Sequence, residues 1–249
     1  MENAAAAPPR VLISVATYNE RENLARLVQE IHAHVPAADV LIIDDDSPDG
    51  TGQLAEDMAQ ADRRLRVVRR PRKLGLGTAI LAGMQYAIDH GYDLFVNMDA
   101  DFSHHPRYLP ALLEGMKRHD VMIGSRYVPG GGTVNWPWSR RLMSAGVNLV
   151  SRILMRLPAR DTSGGFRCYR VAKLRQIDRS TVLSRGYSFQ EEFLYRCHRA
   201  GCKIGETPIL FEDRRAGASK AGLREAVRSL AVIFGLGLMI FFGLEKPKG

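Results

Sequence analysis

The sequence is poor in cysteine, and its cysteines fit neither a disulfide framework nor a metal site. Cys168, Cys197 and Cys202 form no CxxC pair and no zinc-like spacing. We therefore expect free thiols in a reducing compartment. The first residues also lack a basic region followed by an apolar core, which is the pattern of a secretory signal. We expect residues 1–9 to form a short flexible tail.

Long hydrophobic runs are few as well. The segment 229–244 carries no charged side chain, and as a helix it would extend about 24 Å. A bilayer core of about 30 Å normally needs about 20 residues to cross it. The sequence therefore predicts that residues 223–249 form a hydrophobic, membrane-associating helix. Its length favours entry into the bilayer over a full span.

Acidic residues are outnumbered, with 35 Lys and Arg against 27 Asp and Glu, and the net charge is +8. Such an excess suits nucleic acid, anionic lipid or phosphorylated substrates. The chain has no helix-turn-helix, zinc or aromatic-stacking signature, so we expect no nucleic-acid partner. With 45% hydrophobic and 25% charged residues, the composition excludes both a disordered chain and a polytopic membrane protein.

The first half of the chain alternates short β-branched apolar runs with helical patterns. This alternation predicts an α/β fold with a mostly parallel, Rossmann-like sheet flanked by helices. In such sheets, ligands bind beyond the carboxyl ends of the strands. The predicted strands are 11–16, 40–43, 65–68, 94–98 and 121–124, and the predicted helices lie near 21–34, 50–62, 78–90 and 107–118.

The second half is less regular. A glycine-rich loop at 129–132 leads to a strongly periodic helix at about 139–157, and a second glycine-rich turn follows at 161–167. After that turn we expect a short strand, a helix over about 190–200 and a strand over 203–211.

Carboxylates and one aromatic follow the first two predicted strands. Tyr18 and Glu20 come after the first strand, and Asp44 and Asp45 end the second. These groups can stack on a base and accept hydrogen bonds from a nucleoside. For 47–50 (SPDG), a simple turn that caps the next helix is the better interpretation.

The strongest local signal is Asp99-Ala-Asp101 at the end of the fourth predicted strand. The period-two geometry of a strand places both carboxylates on one side. Such hard oxygen ligands suit Mg²⁺ or Mn²⁺ shared with substrate phosphates, and Ser103 is a candidate weak ligand. His104 and His105 are alternative ligands, but the following proline favours a helix start at this point.

Several cations lie in loops. The segment 73–78 (KLGLGT) is glycine-rich and opens a helix, which suggests a phosphate cradle, although its spacing is not that of a P-loop. Arg126 follows the fifth strand on the same edge as the two aspartates, and Arg214 and Lys220 lie further on. A phosphate site needs several such cations to converge, and solvated loops remain the alternative for each of them.

Together these segments resemble glycosyltransferase family 2, and specifically its dolichol-phosphate (polyprenol-monophosphate) mannosyltransferases. The resemblance covers about residues 10–222 and implies an A-type glycosyltransferase fold over that catalytic domain. The matching segments are 17–24 (TYNERENL), 43–51 (IDDDSPDGT), 73–79 (KLGLGTA), 98–106 (MDADFSHHP), 124–127 (GSRY), 161–169 (DTSGGFRCY), 186–192 (GYSFQEE) and 213–220.

The resemblance also implies partners and roles. It implies a GDP-mannose donor, a polyprenyl phosphate acceptor, a divalent metal and attachment to the cytoplasmic face of a membrane. The nucleoside would be held by Tyr18, Glu20, Asp44 and Asp45, the metal and diphosphate by Asp99 and Asp101, the acceptor phosphate by Arg126 with Arg140 or Arg141, and the diphosphates by Arg214 and Lys220. Glu191 and Glu192 are interpreted as structural or orienting.

Two features of the resemblance leave alternatives open. Ser103 stands where some relatives have glutamine, which leaves the third metal ligand undetermined. A polyprenyl-phosphate glucosyltransferase that uses UDP-glucose would share nearly every motif, so it is the alternative function.

The helix predicted at about 139–157 has a basic side and an apolar side. Its apolar positions include Leu142, Leu149 and Ile153, and Arg141 and Arg152 lie opposite. One interpretation is a core helix with a solvated basic face. The other is an interfacial helix that meets anionic headgroups.

Overall fold

The structure, a computed structural model, describes residues 7–184, 186, 188–212, 233–235 and 237. Among these described residues, no helix is both long enough and apolar enough to cross a membrane. Most of the predicted segment 229–244 lies outside the described residues, as do Arg214 and Lys220.

The described chain alternates strands and helices over most of its length. The elements are β1 (Val11–Thr17), α1 (Arg21–His34), β2 (Asp39–Asp44), α2 (Thr51–Ala61), β3 (Leu65–Arg69), α3 (Leu76–Asp89), β4 (Leu94–Asp99), α4 (Leu109–Gly115), β5 (Val121–Ser125), β6 (Gly132–Val134), α5 (Trp138–Leu154), β7 (Arg167–Arg170), α6 (Val171–Leu174), α7 (Phe189–Arg199), β8 (Ile204–Pro208) and β9 (Leu210–Glu212). Two 3₁₀ turns, Pro106–Tyr108 and Arg179–Thr181, complete the set.

Seven strands form one sheet in the order β3-β2-β1-β4-β7-β5-β8. The pairs β1–β2, β2–β3, β1–β4 and β5–β8 are parallel, whereas β7 runs antiparallel to both β4 and β5. The chain winds outward from β1 to β3 and then returns to place β4 on the other side of β1. The carboxyl ends of β1 and β4 therefore flank a point where the strand order reverses, which is where open α/β sheets bind their ligands.

The predicted mostly parallel α/β sheet is confirmed, with corrections to elements after residue 105. The short strand expected after the 161–167 turn is β7, and it inserts between β4 and β5. The strand expected over 203–211 is two strands, because the chain leaves the main sheet at Ile209 and β9 pairs with β6. The helix expected over 107–118 is shorter, with a 3₁₀ turn followed by α4.

The sheet is buried on both faces, and each face carries its own hydrophobic cluster. Leu12, Leu41 and Phe95 belong to one cluster, and Ile13 and Val96 belong to the other. This explains why the first strands read as continuous apolar runs, since a strand covered on both faces needs no polar alternation.

α5 differs from an ordinary surface helix because it buries polar side chains and exposes large apolar ones. Its buried residues are Asn148 and Ser151, whereas Leu142, Leu149 and Ile153 are 66%, 56% and 64% exposed. The interpretation of this segment as a core helix with a solvated basic face is therefore wrong for its outer apolar stripe. The inner face is held both by polar contacts from Asn148 and by Val147, Val150 and Leu154, which pack against the core.

Candidate active site

The register of the sheet brings the predicted site residues to one edge. Thr17 pairs with Asp44 across β1 and β2, and Ala16 pairs with Asp99 across β1 and β4. Because these three strands are parallel, the residues that follow them emerge side by side. The structure thus unites the predicted nucleoside residues and the predicted metal residues at the carboxyl edge.

The loops that leave these three strands contain residues with left-handed backbone conformation. Asn19, Asp46 and Phe102 follow β1, β2 and β4, and their φ values are 61°, 57° and 62°. Residues other than glycine adopt this region rarely and at an energetic cost, and such strain concentrates at functional sites. The strained turns therefore mark the same edge that the carboxylates mark.

Asp44 is fully buried, and the protein uses its carboxylate for its own structure. Oδ1 accepts hydrogen bonds from the Thr17 hydroxyl at 3.0 Å and the Ser47 hydroxyl at 2.6 Å, and Oδ2 accepts one from the Ser47 N–H at 3.0 Å. Arg69 Nε lies 3.7 Å from Oδ2. This carboxylate joins β1, β3 and the predicted 47–50 turn, which is confirmed, at the base of the site.

Asp45 anchors the glycine-rich loop that precedes α3. Its carboxylate forms a buried ion pair with Arg70, and its Oδ2 accepts a hydrogen bond from the Leu74 N–H at 3.3 Å. In the same loop, Lys73 Nζ lies 4.0 Å from the ring centroid of Tyr18, within the range of a cation–π contact. The loop is thereby held over the aromatic ring predicted to stack on a base.

Glu20 follows the same strand as Tyr18, and its carboxylate accepts a hydrogen bond from Asn23 Nδ2 at 2.9 Å. Its backbone N–H donates to the Thr51 hydroxyl at 3.0 Å, which ties the start of α1 to the start of α2. The roles of Tyr18, Glu20, Asp44 and Asp45 in nucleoside binding stay predictions.

Asp99 and Asp101 both reach the surface, while Ala100 between them is buried. β4 ends at Asp99, so the strand geometry behind the predicted same-side placement does not extend to Asp101. The same-side placement of the two carboxylates stays a prediction. Ser103 is buried, and both its N–H, at 3.1 Å, and its hydroxyl donate to Oδ1 of Asp101. The serine thus fixes the orientation of Asp101, and its role as a metal ligand stays a prediction.

The two histidines of this segment have structural partners. His104 is buried, and its Nδ1 accepts a hydrogen bond from the Asp99 N–H at 3.2 Å. Its ring stacks on Phe166 with the centroids 5.2 Å apart. His105 Nδ1 accepts from the Arg107 N–H at 3.2 Å and caps the 3₁₀ turn, as the helix-start interpretation predicts.

The donor set at this edge fits a divalent cation that is shared with a substrate. Asp99 has 32% of its side chain exposed, and both aspartates supply the hard oxygens that Mg²⁺ and Mn²⁺ prefer. Within the described part of the chain, no group of three or more His, Cys, Asp or Glu side chains is arranged to hold a metal. Two protein carboxylates fit an ion that takes its other ligands from water and phosphate.

Arg126 occupies a buried ion pair that the sequence did not predict. Its Nε and Nη2 donate to the two carboxylate oxygens of Asp161, each at 2.7 Å, and Nη2 also donates to the Ser163 hydroxyl at 2.8 Å. Burial opposes the charge on both groups, but the pairing prevails, lowering the pKa of Asp161 and raising that of Arg126. The arginine is therefore held rigidly, in contrast to the flexible rim cation considered as an alternative.

One side of this pair borders a cleft of about 330 Å³ between β6 and α5. Arg141 also borders the cleft and donates from Nη2 to the Thr133 carbonyl at 3.3 Å. Arg140 lies instead with its guanidinium 4.0 Å from the Trp136 ring centroid. The cleft is lined by Arg126, Tyr127, Gly132, Thr133, Arg141 and Ala145. Two arginines and a tyrosine in one cleft form a suitable receptor for an anionic phosphate.

α7 contributes two buried carboxyl groups with opposite properties. Glu192 accepts hydrogen bonds from the N–H groups of Leu183 and Ser184 and pairs with Arg196 at 2.6 Å, as expected for a structural residue. Glu191 has no hydrogen-bond partner for Oε2 among the described residues, and burial raises its pKa to about 7. Glu191 therefore keeps its proton at mildly acidic pH, where an ordinary glutamate is ionised.

This raised pKa predicts a pH-dependent stability. Between the ordinary pKa of 4.5 and about 7, the folded state keeps a proton that the unfolded state releases, so this group's contribution falls as the pH rises. Relative to the unchanged protein, Glu191→Gln should gain about 1.4 kcal/mol per pH unit across this window. Urea unfolding at several pH values measures the difference. Glu192→Gln is the control, because the lowered pKa of Glu192 should make its difference constant over the same window.

Sequence reasoning missed Asp161 and Asn148 as site residues. Asn148 accepts hydrogen bonds from Thr162 and Ser163, so it joins α5 to the loop that carries Asp161. The signal for Asp161 was the glycine-rich turn at 161–167, and the signal for Asn148 was its place on the basic side of the predicted 139–157 helix. Neither signal suggested a specific partner.

Comparison with known proteins agrees with this geometry. Residues 12–178 match the glycosyl transferase family 2 model. The chain is 46% identical over 211 residues to the undecaprenyl-phosphate mannosyltransferase of Micrococcus luteus, covering 85% of this chain and 87% of the relative. It is 44% identical over 227 residues to the polyprenol monophosphomannose synthase of Mycolicibacterium smegmatis, covering 89% and 86%.

Among solved structures, the glucosyl-3-phosphoglycerate synthase of Mycobacterium tuberculosis shares the fold. Its complex with phosphoglyceric acid has a TM-score of 0.65 and 17% identity, with 91% of this chain and 79% of that chain covered. Its complex with Mn²⁺, UDP and glucosyl-3-phosphoglycerate has a TM-score of 0.64 and 17% identity, with 96% and 81% covered. The family match, the two close relatives and the observed sheet agree, and the protein belongs to glycosyl transferase family 2.

Proposed function

We propose that this protein transfers mannose from GDP-mannose to the phosphate of a polyprenol and inverts the anomeric carbon. The observation that carries the proposal is the arginine-lined cleft, which lies next to the exposed apolar face of α5. A cationic cleft beside an apolar surface suits an acceptor that has a phosphate head and a lipid tail. The names of the two close relatives, a mannosyltransferase and a monophosphomannose synthase, support the same substrate class.

The chemistry follows from the charge of the acceptor. A phosphate oxygen of the polyprenyl phosphate is already anionic, so it attacks the anomeric carbon without a strong general base. The bond between that carbon and the oxygen of the donor diphosphate breaks, and GDP leaves with its electron pair. The protein aligns the two phosphates and offsets their charge, with Arg126 and Arg141 at the acceptor. Arg214 and Lys220 are proposed for the diphosphate.

A divalent cation held by Asp99 and Asp101 would supply charge neutralisation at the departing diphosphate. Ser103 and His104 would orient these two ligands. Ser103 donates hydrogen bonds to the Asp101 carboxylate, and His104 accepts one from the Asp99 N–H.

The outer face of α5 is proposed to rest on the membrane that holds the acceptor. Trp138 is 77% exposed at the start of the helix, and Leu142, Leu149 and Ile153 continue the same stripe. Arg141 and Arg152 are exposed between this stripe and the buried Asn148, and not directly opposite the stripe as expected, so they can meet anionic headgroups. We propose that the catalytic domain, residues 10–222, acts at the cytoplasmic face and that residues 223–249 add a second attachment.

A donor comparison tests the function directly. With a short-chain polyprenyl phosphate as the acceptor, GDP-mannose should be used at least about tenfold faster than UDP-glucose at equal concentration. Product analysis should identify a β-linked mannosyl phosphate. A preference for UDP-glucose would replace the proposal with the polyprenyl-phosphate glucosyltransferase alternative.

The metal prediction has a readout that does not depend on turnover. GDP affinity should rise when Mn²⁺ is added to the unchanged protein, and this increase should be lost in Asp99→Asn and Asp101→Asn. Both variants should also lose about a hundredfold or more in turnover, because charge stabilisation at the leaving group is lost. Asp57→Asn, which alters an exposed carboxylate on α2, serves as the control. Equal GDP affinity in Mn²⁺ and in EDTA would contradict the assignment.

The role of Arg126 is tested with lysine, because alanine would leave Asp161 as a buried unpaired charge at a cost of about 3–5 kcal/mol. Lysine keeps the positive charge but cannot make the paired hydrogen bonds that Nε and Nη2 of Arg126 make with Asp161. In Arg126→Lys the KM for polyprenyl phosphate should therefore rise by about tenfold, while GDP affinity stays unchanged. Arg170→Lys is the matched control, because Arg170 pairs with Asp120 near the opposite edge of the sheet. An equal loss of GDP affinity would place Arg126 on the donor.

A further inference from the structure

One buried asparagine links the inner face of α5 to the 161–164 loop. Asn148 is buried, and its Oδ1 accepts hydrogen bonds from the Thr162 N–H at 2.7 Å, the Thr162 hydroxyl at 3.0 Å and the Ser163 N–H at 3.1 Å. Its Nδ2 donates to the Ser144 carbonyl at 2.8 Å and to the Ser163 hydroxyl at 3.0 Å. One side chain thus connects the helix to the 161–164 loop by four hydrogen bonds.

The same loop continues to Arg126. The Ser163 hydroxyl that receives the Asn148 amide also receives Arg126 Nη2 at 2.8 Å. Asp161 accepts Arg126 Nε and Nη2, and its Oδ1 also accepts the Gly164 N–H at 2.8 Å, which closes the loop on itself. A continuous path of hydrogen bonds therefore runs from α5 through Ser163 to the guanidinium group at the cleft.

We propose that Asn148 is a positioning residue that holds Arg126 in register with α5 through Ser163, so that the helix and the cation at the acceptor cleft move as one unit. This inference rests on the proposed function, in which Arg126 meets the acceptor phosphate. When α5 settles on the bilayer, the tether fixes how far the cation lies from the surface that holds the acceptor.

Asparagine suits this position because it both donates and accepts at one planar group. The loop offers two backbone N–H groups and a hydroxyl that need an acceptor, and Ser163 and the Ser144 carbonyl need a donor. An aspartate would lose the donor, and a leucine would lose every bond. The geometry requires both functions, since a buried polar group left without a partner is strongly disfavoured.

The test compares Asn148→Ala, Ser163→Ala and the double variant in the full chain. With a polyprenyl phosphate short enough to stay dissolved, each single variant should raise the acceptor KM by about tenfold, whereas kcat and GDP affinity stay within about twofold. Because both residues act through one path, the double variant should raise the KM no further than the larger single effect. Ser163→Thr keeps the hydroxyl and should restore the KM.

Ser151→Ala is the matched control. Ser151 is buried one turn further along the same face, but its hydroxyl donates only within α5, to the Val147 carbonyl at 2.7 Å. The acceptor KM of this variant should equal that of the unchanged protein. A purely structural role for Asn148 would lower the unfolding midpoint and the active fraction, which reduces kcat and leaves the KM unchanged.

Vesicle binding distinguishes the positioning role of Asn148 from the membrane contact made by the outer face of α5. Asn148→Ala should bind vesicles of phosphatidylglycerol and phosphatidylcholine as the unchanged protein does, and Leu149→Glu, on the adjacent outer position, should bind them weakly. Loss of vesicle binding in Asn148→Ala would show that the residue supports the helix itself and would overturn the proposal.

Two further outcomes would overturn it. In the first, folded Asn148→Ala and Ser163→Ala keep the acceptor KM of the unchanged protein, whereas Arg126→Lys raises it. This result would refute the positioning role of Asn148 and would leave the proposed function intact. Multiplied effects in the double variant would show two independent paths. If Arg126→Lys also left the acceptor KM unchanged, the role of Arg126 in the proposed function would fail together with the tether.

Discussion

The buried pair between Arg126 and Asp161 is the interaction on which the second half of the molecule depends. It joins the end of β5 to the 161–164 loop, and the loop in turn receives Asn148 from α5. Removing either charge would strand the other in an apolar setting, where an unpaired charge is costly. The pair therefore holds the Arg126 guanidinium at the border of the cleft. Through the 161–164 loop it also helps to hold α5, which forms one wall of the cleft.

This attachment explains why polar residues of α5 are buried while some of its apolar residues are exposed. Its inner face is held by hydrogen bonds from Asn148, by the 2.7 Å contact between the Tyr127 and Ser144 hydroxyls, and by Val147, Val150 and Leu154, which pack against the core. Leu142 and Leu149 take no part in this docking and remain exposed. A leucine or isoleucine left in water forgoes about 1.5–3 kcal/mol of burial, and Leu142, Leu149 and Ile153 lie in one exposed stripe. A bilayer that covers the stripe would remove this cost, and the proposed lipid acceptor resides in a bilayer.

The two sides of the site are connected by aromatic packing. His104, which accepts from the Asp99 backbone, stacks on Phe166 and makes an edge contact with Phe211 at 5.4 Å, and Phe211 contacts Trp136 at the same distance. Left-handed turns after β1, β2 and β4 and the Asp45–Arg70 ion pair shape the side that carries Asp44 and Asp99, whereas the Arg126–Asp161 pair and Asn148 shape the side that carries the arginine-lined cleft. Backbone geometry thus contributes mainly to the carboxyl edge of β1, β2 and β4, and contacts between residues distant in the chain build the cleft between β6 and α5.

The sequence by itself determined the parts of this protein that arise from local patterns. Apolar runs defined β1 to β5, and polar residues directly after them located Asp99, Asp101 and Asp45 at one edge, because parallel strands end together. Only the tertiary structure decided what Arg126 pairs with, since Asp161 lies 35 residues away and no periodicity links them. It also decided which face of α5 is buried: a helical wheel identifies two faces, but the partners available to each face are set by elements distant in the chain.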